Sequence, residues 1–249
     1  MKAQSAIDAR IARLARELRF TGLDDPGGEP NDEELRAATH AFVDTLYPPQ
    51  LAGAVVLARD VDPSHADQCV ATDPFALGWI RTLDESSSPV HWWHSWRAAA
   101  PEESRFVAPT RGDELLLGKP SHSCFYTAGG SHAWQGMWAT VAARESPVVG
   151  PVFAWKMRVR SAPRELVIDS ALAWCELVRA ACRETNAGDA VEWARVAELF
   201  DCVTVTAKAV AATQGIQFRS GTRTIAPTYW DTRSTVWLRW SFESAIAGS

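Results

Sequence analysis

The order of apolar runs in the second half of the chain restricts its fold most. From Arg105 onward, short β-like runs (105–108, 114–125, 153–160, 165–168, 202–206 and 235–240) are interspersed with helical runs (131–144, 170–182 and about 190–200). They do not alternate as regular strand–helix–strand units, so the pattern predicts an α+β protein rather than a doubly wound parallel sheet. A Gly-x-Gly-x-x-Gly fingerprint and a phosphate-binding P-loop are both missing from the sequence, so nucleotide binding needs another route.

The first half reads differently. Ile7, Ile11, Leu14 and Leu18 recur at helical spacing, with Arg10, Arg13, Arg16 and Arg19 on the remaining faces. This predicts an amphipathic helix over 3–19 that packs on the domain and leaves its arginines solvated. After a turn-rich linker, Asn31 and Glu34 form a capping-box pattern opening a helix that runs to about Tyr47 and stops at Pro48-Pro49. Residues 52–59 read as a strand, 60–73 as a loop, and 75–83 as a strand or a short helix. His91 and His94 flank a Trp-Trp pair without a third ligand nearby, and no metal is assigned.

A length of 249 residues suits one large domain or a main domain with an N-terminal addition. The net charge of −5 argues against a broad nucleic-acid-binding surface. Five cysteines with no Cys-x-x-Cys spacing read as reduced thiols, as expected of a cytoplasmic protein. No apolar run approaches the roughly 18 residues of a membrane span, and residues 1–20 lack the apolar core of a signal peptide. Twelve tryptophans are many for this length. Most are expected in the core, and any that line a pocket would suit a flat heterocycle.

The stretch Gly118 to Gly130, GKPSHSCFYTAGG, concentrates hydroxyls, an aromatic ring and glycines between an apolar run and the helix expected at 131–144. Free N–H groups and the helix dipole favour an anion at such a junction.

This stretch and four later ones resemble, in order, a bacterial branch of the ADP-ribosyltransferase-like superfamily. Lys119-Pro120 precedes Phe125-Tyr126 and Thr127-Ala128, and a tryptophan-bearing segment with Trp134 and Trp138 follows. Trp155 to Val159 and Leu166 to Ser170 come next, the latter leading into a helix with Trp174 and Leu177. Glu192-Trp193 with Phe200 to Val203, and finally Trp230 to Leu238, complete the series. The resemblance covers residues 105–240 and implies a split β-sandwich as domain 105–249, with residues 1–104 as an N-terminal helical extension or lid. It further implies a cleft that binds NAD, breaks the nicotinamide–ribose bond and passes ADP-ribose to a protein, a nucleic acid, a small molecule or water. A carboxylate would stabilise the oxocarbenium-like transition state.

Carried over by position, the resemblance makes Thr127 the strand hydroxyl and Tyr126 the neighbouring aromatic. Arg105 becomes the first-strand cation, and His122, Trp134 and Arg233 complete the NAD-binding candidates. Two positions depart from the pattern. Ala128 replaces a serine, and Arg233 stands where the family carries its catalytic Glu. A guanidinium opposes a growing positive charge. Asp231, two residues earlier on the same face of a regular strand, is therefore the candidate catalytic acid, with Glu243 a weaker one. Three readings follow: an active transferase or NAD glycohydrolase using Asp231; a silent module that binds a nucleotide or a partner through Arg233; or a different metabolite enzyme on the same scaffold.

Overall fold

The computed structural model describes residues 2–24, 28–46, 56–86, 90–111, 118–120 and 125–248. Two helices open the chain, α1 (Lys2–Phe20) and α2 (Asp32–Leu46). Ile7, Ile11, Leu14 and Leu18 of α1 are fully buried, and Arg13, Arg16 and Arg19 are exposed. Arg10 departs from the expected pattern. It is buried, and its guanidinium donates to the carbonyls of Gln214, at 2.6 Å, and Ala211. The capping box of α2 forms: Asn31 Oδ1 accepts from the Glu33 and Glu34 amides, and Glu34 accepts from the Asn31 amide.

The segment expected as a loop at 60–73 instead holds the end of β1 (Ala58–Val61) and α3 (Pro63–Val70). At 75–83 the chain is helical, as α4 (Pro74–Glu85). Both helices begin with Asp-Pro. Asp62 accepts from the Ser64 and His65 amides, and Asp73 from the Ala76 amide. Each proline then sits at the helix start, where its missing N–H costs nothing. The two histidines of the His-Trp-Trp-His run lie on β2 (His91–Ser95).

Arg105 ends a 3-10 turn, Glu103–Arg105, and is exposed, so the strand expected at 105–108 is absent. Pro101 and Pro109 flank this stretch and cannot donate to a ladder. Next come β3 (Phe125–Gly129) and α5 (Met137–Val149). The helix expected from Ser131 starts later because Gln135 and Gly136 have φ of 56° and 88°, which no α-helix accommodates. The chain continues as β4 (Phe153–Val159), β5 (Glu165–Ile168), α6 (Ala171–Ala180), β6 (Cys182–Thr185), β7 (Gly188–Val191) and α7 (Trp193–Leu199). It ends with β8 (Cys202–Val205), α8 (Ala207–Thr213), β9 (Ile216–Ser220), β10 (Arg223–Ile225), β11 (Ser234–Trp237) and β12 (Phe242–Ala247). The fold is α+β.

The strands form a five-stranded sheet, β1-β9-β10-β7-β6, and a seven-stranded sheet, β12-β4-β2-β3-β11-β8-β5. One hydrophobic core joins α1 to α4 with α6, α8 and one face of each sheet. The expected division at 104/105 runs through both sheets. β1 pairs with β9, and β2 lies between β3 and β4. Residues 1–104 therefore supply integral strands and core helices rather than a separate extension or lid.

Register in the middle of the larger sheet sets the site. Thr235 is opposite both Thr127 and Thr204, and Val236 is opposite both Tyr126 and Val203. Side chains alternate along a strand, so the threonines share one face, and Tyr126, Val236 and Val203 face the main core.

Gly136 holds α5 against β3. A Cβ there would lie 2.4 Å from the Gly129 carbonyl oxygen and 2.9 Å from Ala128 Cβ, at a φ of 88°. Gly136→Ala is expected to lower stability by roughly 2–3 kcal/mol in urea denaturation, since both strain and overpacking oppose it.

Candidate functional site

A cavity of about 620 Å³ opens on the threonine-bearing face of the seven-stranded sheet. His91, Gly129, Glu165, Thr204, Arg233 and Thr235 line it, closed on one side by Val159 to Pro163. Six neighbouring strands contribute: β4, β2, β3, β11, β8 and β5. The strands build it by alternation, since Cys202-Val203-Thr204-Val205 and Ser234-Thr235-Val236 put valines into the core and threonines on the opposite face.

The hydroxyls form a chain. Thr204 Oγ1 donates to Glu165 Oε1 at 2.5 Å and lies 2.6 Å from Thr235 Oγ1. With the Thr204 proton given to the carboxylate, Thr235 donates to Thr204. His91 Nδ1 is 3.1 Å from Thr127 Oγ1, and the His91 ring meets the Trp237 ring edge-on at 5.0 Å. Burial pushes the His91 imidazole down to about 4. Glu165 opposes that shift and Arg233 adds to it, so His91 is neutral near pH 7.

Arg233 is held at the end of the cavity. Its Nε lies 3.4 Å from Asp84 Oδ1 on α4 but is not aligned for a hydrogen bond, and its side chain is 18% exposed. Asp84 is already engaged, accepting from the Ala207 amide at 2.6 Å and the Lys208 amide at 3.2 Å at the start of α8. Burial lowers the Arg233 pKa, against the pull of Asp84 and Glu165. The cavity thus presents a cation at Arg233 and an anion at Glu165, with hydroxyls between them.

The ends of the parallel strands β5 and β8 do not offer free helix N-termini. Asp67 on α3 accepts from the Ala171 and Leu172 amides of α6 as Asp84 does for α8, and Ser170 and Thr206 cap the same two helices. Protein carboxylates take up the donors that would otherwise attract a phosphate.

The structure separates the residues that the resemblance brought together. Thr127 is 2% exposed, and its hydroxyl accepts from Trp237 Nε1 at 2.9 Å. Tyr126 points to the opposite face, where its hydroxyl donates to the Pro120 carbonyl and its ring meets Trp230. Asp231 pairs with Lys119 at 3.0 Å and does not line the cavity. Glu243 pairs with Arg158 on the β4–β12 side. Arg105 is exposed in its 3-10 turn, and Trp134 lies elsewhere, against α2 and α5. His122 lies outside the described residues. Of the described members of the expected set, Arg233 alone lines this cavity.

No tryptophan lines it either. Trp92, Trp134, Trp174, Trp193, Trp230 and Trp237 are fully buried, and Trp174, Trp193 and Trp230 pack on one another in the core. Among the described residues, no three His, Cys, Asp or Glu side chains gather as a metal-holding group, and no helix is long and apolar enough to cross a membrane. Glu165, Thr204, Thr235 and His91 were missed from the sequence. The threonine–valine alternation of β8 and β11 was the signal available for two of them. Compared with protein families, curated proteins and solved structures, the chain matches none.

Proposed function

We propose that this chain is a binding module with an ADP-ribosyltransferase-like fold, which holds NAD or a related nucleotide in the cavity of the seven-stranded sheet without cleaving it. One observation carries the reading: Arg233, at the position where the resemblance expects a catalytic Glu, lines the cavity with a buried Nε that has no hydrogen bond. A guanidinium fork suits a phosphate oxygen. Glu165 is the opposite charge in the same cavity, and a nicotinamide ring attached to ribose is cationic. The two charges therefore match the pyrophosphate and the cationic nicotinamide of NAD better than they match a simple anion. The volume lies within the roughly 300–1,000 Å³ typical of small-molecule sites.

Arg233 also supports a silent site, because its charge disfavours the oxocarbenium-like state that bond cleavage requires. Titration calorimetry tests the binding. Wild type is expected to bind NAD more tightly than ADP-ribose, and Arg233→Gln to weaken NAD about tenfold or more, the scale of one charge-assisted hydrogen bond. Equal binding by wild type and Arg233→Gln refutes the reading.

A second reading is favoured by Glu165. It is the carboxylate lining the cavity and it holds the Thr204 hydroxyl. In an active NAD glycohydrolase or transferase it would take the role that the resemblance gives to Glu at position 233, and Asp231 would stay with Lys119. The site then stabilises positive charge on the ribose through Glu165, and nicotinamide release disappears in Glu165→Gln.

A further inference from the structure

A second cavity, of about 520 Å³, lies between α2 and α5, on the far side of the Ser131–Gly136 turn from β3. Its lining gathers unpartnered polar atoms. Trp134 Nε1 and Thr140 Oγ1, in side chains 2% and 5% exposed, have no hydrogen-bond partner, and neither has His40 Nδ1. A buried donor without a partner is costly, so a ligand that brings an acceptor to it recovers that cost. The wall is also strained. Gln135, which lines the cavity, has a φ of 56°, in the left-handed region that non-glycine residues rarely adopt.

The chemistry of the lining narrows the ligand. Trp134 Nε1 is a donor only, and the Thr140 hydroxyl is free to donate as well. At the rim, Arg144 pairs with Asp44 at 2.6 Å. Arg36 donates to the Ala133 carbonyl, and no carboxylate pairs with it among the described residues. One positive charge is thus left unanswered beside two buried donors. Ala139 and Ala143, one turn apart on α5, are small enough to leave room for a compact apolar body beside the Trp134 ring.

We infer that the α2–α5 cavity is a ligand site separate from the Arg233 cavity, and that it takes a small monocarboxylate with a compact apolar body. The carboxylate accepts from Trp134 Nε1 and the Thr140 hydroxyl, both almost closed to solvent, once the side chains over them part, with Arg36 supplying the balancing charge. This assignment does not rest on the nucleotide reading of the other cavity.

The test uses the full chain and benzoate as the probe, with benzamide as its uncharged counterpart. Tryptophan indole N–H resonances are followed by two-dimensional NMR, and the Trp134 signal is identified as the one missing from Trp134→Phe. Benzoate is expected to shift that signal saturably, and benzamide to bind about tenfold more weakly. Thr140→Val and Arg36→Gln are each expected to weaken benzoate about tenfold, the scale of one hydrogen bond to a charged group. Thr140→Val should at the same time melt no lower than wild type, since it removes an unpartnered hydroxyl in a nearly isosteric change. A purely structural threonine would show the reverse, lower stability with unaltered binding. The assignment is overturned by an unmoved Trp134 signal, by equal binding of benzamide and benzoate, or by full binding in Thr140→Val and Arg36→Gln.

Discussion

Arg10→Ala is expected to destabilise the protein by roughly 3 kcal/mol, the largest single-residue effect the structure implies among the N-terminal arginines. Arg10 is buried, and burial lowers its pKa to about 10, so it is still charged near pH 7. What justifies a buried guanidinium is the end of α8, where the Gln214 and Ala211 carbonyls accept from its two Nη groups. Those carbonyls belong to the last turn of a helix, where the partial charge is negative and no intrahelical donors remain. Truncation orphans both, at about 1–3 kcal/mol each, and leaves a void; relief of the burial cost of the charge offsets part of the loss. Arg13→Ala and Arg16→Ala, at exposed positions of the same helix, should stay within about 0.5 kcal/mol of wild type. Urea denaturation of the three variants checks this, and an Arg10→Ala midpoint equal to that of Arg13→Ala would contradict it.

A pH effect of similar size is expected from each of two histidines on β2. Burial pushes both His91 and His94 down to about 4. In the unfolded chain each protonates near 6.5. Between these values the unfolded state binds more protons than the folded state, so stability is lost as pH falls. The contribution is complete above about pH 6.5 and disappears progressively towards pH 4. The fall from 6.5 to about 4 amounts to roughly 3 kcal/mol per imidazole, at about 1.36 kcal/mol for each tenfold change in proton affinity. Denaturation midpoints at pH 7 and pH 4.5 for wild type and His91→Gln/His94→Gln separate this from carboxylate titration, which both proteins share. The double variant should lose markedly less stability between the two pH values. An equal loss would mean that the two imidazoles titrate normally.

Elements with a single dominant local signal were legible in the sequence. The Ile7–Leu18 stripe, the Asn31–Glu34 capping box and the apolar strands at 153–159 and 202–205 all form where local pattern places them. Long-range pairing was not legible. His91-Trp92-Trp93-His94 gives no strand alternation by itself, yet β2 lies near the middle of the larger sheet because β3 and β4 pair with it on either side. The strand at 105–108 failed for the opposite reason. A short apolar pair between prolines found no partner, and Val107 remains 47% exposed. The segment at 60–73 has a polar, loop-like composition, and the Asp-Pro helix starts at Asp62 and Asp73 are the local chemistry that outweighs it.

The site was legible only at Arg233. Its position followed from register, because Arg233 and Thr235 share a face, and pairing of Thr235 with Thr127 and Thr204 fixes which face that is. Asp231 failed as the catalytic acid because the chain before β11 is not regular strand, and Lys119 draws its carboxylate away. Glu165 and His91 reach the cavity from strands that are remote in sequence, so spacing carried no trace of their convergence.

The fate of NAD in the cavity lined by Arg233 and Glu165 decides between a silent and an active site. Purified protein is incubated with NAD, bound nucleotide is measured after rapid separation, and free nicotinamide is followed by chromatography in wild type, Arg233→Gln and Glu165→Gln. Wild type is expected to retain intact NAD, with nicotinamide no higher than in protein-free controls, and Arg233→Gln to lose that retention. Nicotinamide release by wild type that disappears in Glu165→Gln would contradict the silent site and establish the glycohydrolase reading. Retention that is absent from wild type, or unchanged in Arg233→Gln, would contradict NAD binding by this cavity altogether.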